Sequence, residues 1–365
     1  MSYSVARPIH DAVKRQMEAE TLGYNDPISI DLARESVVRW MKQEYDWSIA
    51  SNSVGFVSDI VTGFGAILTH FLPPVADIVV PTPAYGPLLT VPALFGHRVQ
   101  EVPSLSSSAF HRMDFEGIER ALANGARLVV LCNPHNPTGR VFTAEELGRL
   151  AQLVDHYGAR VFSDEIHAPL VTASVTHIPY AKVSAAAASH TITASSASKG
   201  WNISGLKCAQ LIFSSPADAE RWQHVADFFI KSVSRLGVSA IPAAYDHPES
   251  HDWLASVRTQ LARNNALVAE TVARRLPEIG YSPAEATYLA WLDCRAYGLR
   301  EPARFFRERV GLAMSDGGEF SAPGHLRLNF ALPEDVLRKA LTALVRGAEL
   351  LRSSRPLEET VTHHA

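Results

Sequence analysis

Arg127-Leu-Val-Val-Leu-Cys132-Asn-Pro-His-Asn-Pro-Thr-Gly139, then Thr143-Ala-Glu-Glu146, then Arg160-Val-Phe-Ser-Asp164-Glu-Ile-His167 decide the fold. The apolar run Arg127–Cys132 has strand length, and two prolines and a glycine stop it in a rigid, irregular loop. Thr143 and Glu146 have capping-box spacing, so a helix is expected from there to about Tyr157, closed by Gly158 before a second apolar run at Arg160–Ser163. Strand, helix and strand in that order make a βαβ unit with parallel strands.

The same alternation extends outward through Asp77–Pro81, Thr191–Ala194 and Cys208–Phe213, which predicts a largely parallel sheet between helices. Past about His251 the pattern changes. A long helical stretch to Leu276 precedes strand-like runs at Ala290–Asp293 and Leu326–Phe330, separated by a helix near Pro302–Arg309. This reads as a smaller α+β domain with the N-terminal helix as companion. The expected organisation is a large domain over residues 25–250, a small domain from 1–24 with 251–353, and a loose polar tail over 354–365. No internal repeat or Gly/Ser linker interrupts it.

Composition narrows the class. With 365 residues, 47% of them hydrophobic, the chain can bury a large core. A formal net charge of −4 offers no basic surplus for phosphodiester backbones or anionic lipid, so nucleic acid and membrane are poor partners. Cys132, Cys208 and Cys294 are widely spaced within apolar runs, which suits a reducing cytoplasm better than a disulfide framework or zinc knuckle. The first residues lack the pattern of a signal peptide, and no run of about 18 apolar residues occurs.

The residues with chemical promise sit where strands end, as ligands do in α/β sheets. Lys199 follows the Thr191–Ala194 run within Ser195-Ser-Ala-Ser-Lys199-Gly-Trp-Asn-Ile-Ser-Gly205. A lone loop lysine is usually just solvated; here the small hydroxylated residues before it supply anion donors and leave room for a planar ring. Asp164 ends its strand and could equally cap a helix. Asn136 lies in a loop stiffer than a plain turn requires. Thr62-Gly-Phe-Gly-Ala66 offers the amides of Gly63 and Phe64 near a helix start, and Tyr85 stands on a proline-stiffened loop in Pro81-Thr-Pro-Ala-Tyr-Gly-Pro87. Arg327, charged within the apolar run Leu326–Phe330, suits either a half-exposed strand or a bidentate carboxylate clamp. An imine-forming amine, a carboxylate for a pyridine nitrogen, phosphate donors and a carboxylate clamp are together what pyridoxal phosphate (PLP) chemistry asks of a protein.

Other readings fail on spacing. A GxGxxG pattern begun at Gly63 meets Leu68 at its last position, and neither a Walker A lysine motif nor a GxSxG elbow occurs. His247 and His251 are four apart, but the glutamate is misplaced for HExxH and Pro248 would interrupt a helix, so no metal is expected. His135 and His177 read as loop residues.

These strings resemble fold-type I PLP enzymes of the aminotransferase superfamily, and within it the MalY/PatB group of cystathionine β-lyases, or carbon–sulfur β-lyases. The resemblance spans nearly the whole chain. NPHNPTG, the Asp164 motif and SASK carry the superfamily; SDEIH, SKGWNISGLKCA, EATYLAWLD and HLRLNFALP carry the group. It implies a PLP-dependent transferase fold with a mostly parallel seven-stranded sheet, and residue roles to match. Lys199 carries the cofactor as a Schiff base and shuttles the proton. Asp164 pairs with the pyridine nitrogen, Tyr85 stacks on the ring, and Asn136 and His167 sit near its phenolic oxygen. Gly63, Phe64, Ser196 and Ser198 hold the phosphate, Arg327 grips the substrate carboxylate, and Asn136 also lies near that carboxylate. Lys207 stands where many relatives carry arginine, giving a point charge rather than a fork. The resemblance also implies a homodimer in which Tyr24 reaches the partner subunit's phosphate. Relatives carry a further N-terminal stretch lining the substrate entrance, and this chain starts inside it, so either the native start lies upstream or the entrance is more open. The implied reaction is α,β-elimination of cystathionine or another S-substituted cysteine. The alternatives are an aminotransferase and a PLP-loaded binding partner of a regulatory protein.

Overall fold

The computed structural model describes residues 1–20, 22–107 and 110–353. The tail expected over 354–365 lies outside them. In chain order the strands are β1 (Val54–Val57), β2 (Asp77–Thr82), β3 (Arg98–Pro103), the hairpin pair β4 (Leu105–Ser107) and β5 (Phe110–Arg112), β6 (Leu128–Cys132), β7 (Arg160–Asp164), β8 (Thr191–Ser195), β9 (Ala209–Phe213), β10 (Leu289–Asp293), β11 (Ser315–Asp316) and β12 (His325–Asn329). Seven of them form one sheet in the order β1-β9-β8-β7-β6-β2-β3. Adjacent strands from β8 through β7, β6 and β2 to β3 run parallel, whereas β9 is antiparallel to both its neighbours, β8 and β1.

Period-two burial explains why these runs become central strands. Ile78, Val80, Leu128 and Val130 pack into one apolar cluster, and the intervening Val79, Val129 and Leu131 into another on the opposite face. The helix between β6 and β7 spans Ala144–His156 and starts with the full capping box: Glu146 N–H donates to Thr143 Oγ1 and the Glu146 side chain accepts from Thr143 N–H.

Two strands of the seven-stranded sheet escape the sequence reading, as do the short β4, β5 and β11. β1 is only four residues long and contains Gly55, where an added Cβ would lie 2.2 Å from Trp222 Nε1. β3 pairs only with β2 and keeps polar residues on its open edge, so its apolar signal is thin. The long helix starts earlier than expected, running Pro248–Arg275, because Pro248 occupies its first turn. His247 accepts the Glu249 N–H at its cap and His251 Nε2 bonds the carbonyl of Tyr245 at 2.7 Å, so both histidines serve this helix start.

β10, β12 and β11 form a separate three-stranded antiparallel sheet. Its inner face shares an apolar cluster with the long helix and with Ala6 and Ile9 of the N-terminal segment. The helix Arg7–Glu18 packs against the helix Arg235–Tyr245 of the expected large domain as well as against the long helix Pro248–Arg275.

Candidate active site

The C-terminal ends of β2, β6, β7 and β8 lie along one edge of the large sheet, with the start of the reversed β9 and the end of β1 beside them. Between that edge and the small sheet lies a cleft of about 860 Å³. Of the residues singled out from sequence, Tyr85, Asn136, Asp164, His167, Ser196, Ser198, Lys199, Lys207 and Arg327 line it.

Asp164, the last residue of β7, is buried, and Oδ1 accepts the Ile166 N–H at 3.2 Å. Burial lifts its carboxyl from 3.8 to about 6, against the pull of that N–H and of Lys199. Lys199 lies on the short helical turn Ala197–Gly200 directly after β8. Burial lowers its ammonium pKa, Asp164 opposes that, and Arg327 adds to it. The balance favours a neutral, nucleophilic amine more than a solvated lysine would be. His167 is buried and held to about 3, first by burial and then by Lys199 and Arg327, so it stays neutral. Its Nδ1 has no hydrogen-bond partner among the described residues.

Arg327 in the middle of β12 reaches across the cleft. Nη1 donates to Asn136 Oδ1 at 2.9 Å, Nη2 to Ser315 Oγ at 3.1 Å, and the guanidinium lies 4.6 Å from the centroid of the Phe320 ring. Asn136 owes its position to a loop anchored at both sheets. Asn133 N–H donates to Asp164 O, and the Gly139 carbonyl accepts from both Glu285 and Ala286 N–H at 2.9 Å. Gly139 has φ +72°, and a Cβ there would sit 2.5 Å from that of Ala284. The Glu-Ala-Thr segment of EATYLAWLD thus serves as the dock for the NPHNPTG loop, a function its sequence alone does not reveal.

The helix expected near Thr62 runs Ile60–Phe71, capped by Asp59, whose side chain accepts the Thr62 N–H. This corrects the expected amide donors. Gly63 N–H already donates to Asp59 O at 2.9 Å, and Phe64 is buried with its ring 4.8 Å from that of Phe162. Neither lines the cleft; Ile60 and Val61, in the first turn where amides lack intrahelical acceptors, do. Ser196 Oγ donates to Cys208 O and accepts the Ser198 N–H, which fixes the turn that carries Lys199. Lys207 pairs with Asp59 at 3.1 Å. Tyr24, 78% exposed, does not line this chain's cleft.

Two features escaped the sequence reading. Glu165, next to Asp164, is buried and accepts from Ser163 Oγ, Tyr180 N–H and His177 Nε2 at 2.7, 2.9 and 3.0 Å. His135 and His177 do lie in loops, but both are buried, His135 bonded to Thr138 Oγ1 at 2.7 Å. Tyr288 and Glu319 also line the cleft, Tyr288 edge-on to His167.

Such a cleft, with its lysine on the turn after β8, its carboxylate at the end of β7 and its arginine in the small sheet, defines an enzyme of the PLP-dependent transferase fold. The chain belongs to the aminotransferase class I and II family, whose model matches residues 3–344. It is 34% identical to a cystathionine beta-lyase of Corynebacterium glutamicum, over 91% of this chain and 88% of that protein. It is 29% identical to the cystathionine beta-lyase PatB of Bacillus subtilis, over 94% and 90%. Among solved structures, a PLP-bound C–S lyase from Staphylococcus hominis superposes with a TM-score of 0.88 at 27% identity, covering 95% of this chain and 89% of that one. The residues present fit PLP. A buried carboxylate has one backbone donor, a buried imidazole nitrogen lacks a partner, and an amine with lowered pKa stands in the same cleft as a helix N-terminus and Lys207.

Proposed function

We propose that this chain is a PLP-dependent carbon–sulfur β-lyase that cleaves cystathionine or another S-substituted L-cysteine to a thiol, pyruvate and ammonia. The observation that carries the reading is Lys199, its ammonium pKa lowered by burial, sharing one cleft with buried Asp164 and with Arg327. The names of the relatives support the same reaction.

Bound there, PLP supplies a carbonyl for the substrate amine and an electron sink for the pair left when a Cα proton departs. Lys199 would hold the cofactor and, as a free amine, take the Cα proton on Nζ. Asp164 would pair with the pyridine nitrogen, and a positive charge there would offset the burial that otherwise lifts its pKa. Tyr85 would cover the cofactor's ring, and Asn136 and neutral His167, which line the same cleft, would serve its phenolic oxygen. The first-turn amides of Ile60 and Val61, with Ser196, Ser198 and Lys207, would hold its phosphate. Arg327 receives the α-carboxylate on a guanidinium already oriented by Asn136, Ser315 and Phe320. The leaving thiolate takes up a proton, and one water completes the balance to pyruvate and ammonium.

Tyr24, Leu22 and Ile28, close together in sequence, are all exposed, which supports a homodimer in which Tyr24 completes the partner's phosphate site. Three free buried cysteines support a cytoplasmic enzyme.

The test is cystathionine without any keto acid, with pyruvate, thiol and ammonia followed together. Release of all three is the expected result; turnover only when a keto acid is added would make the chain an aminotransferase instead.

A further inference from the structure

Asp164 and Glu165 are consecutive acids at the end of β7, and both are buried. Asp164 lines the cleft; Glu165 lies outside it, its backbone N–H donating to Ala194 O at 2.9 Å beside β8. A second buried carboxylate next to one already lifted by burial is costly. The fold retains it although the reaction proposed above does not touch it.

Glu165 is satisfied by hydrogen bonds and not by a cation. Oε1 accepts the Ser163 hydroxyl at 2.7 Å and the Tyr180 N–H at 2.9 Å, and Oε2 accepts from His177 Nε2 at 3.0 Å. His177 is itself buried, and its Nδ1 has no hydrogen-bond partner among the described residues. The ring therefore fits as a neutral donor through Nε2, since a doubly protonated ring would bury an unpaired N–H. Among the described residues no lysine or arginine pairs with Glu165, so three donors hold one full negative charge in place.

The groups around the two acids divide between them. Among the described residues, Lys199 on the turn after β8 and Cys132, which pairs with Asp164 across β6 and β7, face Asp164. His177 and Tyr45 face Glu165, the Tyr45 ring edge-on to His177 at 5.4 Å. Burial first, and Glu165 after it, raise the proton affinity of Asp164, while the Ile166 N–H and Lys199 oppose them.

We propose that Glu165 is a positioning residue for the cofactor: its fixed charge, held outside the cleft, strengthens Asp164's hold on the proton that Asp164 shares with the pyridine nitrogen. This rests on the reading above in which Asp164 meets that nitrogen. A ring that keeps its proton is the stronger electron sink. One unit charge on the adjoining residue, a smaller influence than burial, changes proton affinity about three- to tenfold.

The experiment has two readouts on the full chain, neither of them activity. Glu165→Gln is nearly isosteric: Oε1 still accepts from Ser163 and Tyr180, and the amide donates to His177 Nε2 in the other tautomer, so the variant should fold. In the apoprotein, the melting-temperature gap between Asp164 and its Asp164→Asn variant is followed from pH 4 to 8 with Glu165 and with Glu165→Gln. Without the neighbouring charge the folded-state pKa of Asp164 comes nearer its unfolded value, so the pH at which the gap is complete should move down by about half to one pH unit. In reconstitution, binding of PLP is compared with that of 1-deaza-PLP, which has C–H in place of the ring nitrogen. The preference for PLP should shrink about three- to tenfold in Glu165→Gln. Ser163→Ala removes a donor and keeps the charge, so it should leave that preference unchanged at pH 8.

An unmoved Asp164 transition overturns the proposal. Equal weakening of PLP and 1-deaza-PLP also does, because that is loss of packing, and so does a change in preference in Ser163→Ala as large as in Glu165→Gln. If Glu165→Gln does not fold, Glu165→Gln combined with His177→Ala carries the same test. An Asp164→Asn protein that keeps the PLP preference takes Asp164 away from the ring nitrogen and removes both readings; one that loses it while Glu165→Gln does not removes this inference alone.

Discussion

Arg327 Nη1 donates to Asn136 Oδ1 at 2.9 Å, a bond between residues 191 apart that ties the middle of the small sheet to the loop after β6. The clamp is thus oriented before any substrate arrives, and its second arm rests on Ser315. Preorganisation of this kind reduces the ordering cost at binding.

Arg327→Lys keeps the charge and loses the fork. Charge-assisted bidentate contacts are worth about 1.5–3 kcal/mol, so kcat/KM for an S-substituted cysteine should fall roughly ten- to a hundredfold. Asn136→Ala should fall less, since it only releases the guanidinium's orientation. Steady-state kinetics on both variants checks the order, and a larger loss for Asn136→Ala would contradict it.

Lys199→Ala removes the amine that holds the cofactor and moves the Cα proton. The purified variant should lose its cofactor absorbance on dialysis, and activity should drop at least about a thousandfold, the range of a lost acid–base group. Absorbance that survives exhaustive dialysis would relocate the anchor.

His177→Ala addresses the buried pair that sequence reading passed over. Removal of the imidazole leaves the Glu165 carboxylate buried beside Asp164 with only Ser163 and Tyr180 to satisfy it. Removing one hydrogen-bond partner of a buried charged group costs about 1.5–3 kcal/mol. Urea unfolding should show that loss, and Glu165→Gln with His177→Ala together should recover part of it.

Legibility followed the period of the signal. Strands buried on both faces, such as β6 and β7, announce themselves as unbroken apolar runs, and the Thr143/Glu146 spacing announces its helix. Lys199, Asp164 and Arg327 each had an ordinary reading as a solvated lysine, a helix cap or a half-exposed strand residue, and could be picked out because their motifs together match one chemistry. What stayed hidden depends on partners far away in sequence. Nothing in Val54–Val57 reveals that Trp222 fills the space beside Gly55, and nothing near Gly63 shows that its amide is already spent on Asp59. The sense of β9 is likewise fixed by its pairing with β1 and β8, not by its own residues. Glu165 reads as one more acid after Asp164 until Tyr180 and His177 close around it.

Asp164→Asn should stabilise the cofactor-free protein at neutral pH while removing activity. Burial raises this carboxyl from 3.8 to about 6, so between about pH 4 and 6 the folded state binds more protons than the unfolded one, and stability falls as pH rises. Above about pH 6 the loss is complete. At about 1.36 kcal/mol per pH unit it approaches 3 kcal/mol as an upper figure. Asparagine has no charge to bury, so the variant's melting temperature should exceed that of the wild type at pH 7, and the two should converge as pH falls to about 4. With PLP bound the sign reverses, because the ionised carboxylate then has a pyridine nitrogen to hold and asparagine does not. Thermal unfolding of both proteins from pH 4 to 8, with and without PLP, measures each arm. A wild-type apoprotein no less stable than Asp164→Asn at pH 7 would mean that the carboxylate is already compensated by something other than the cofactor.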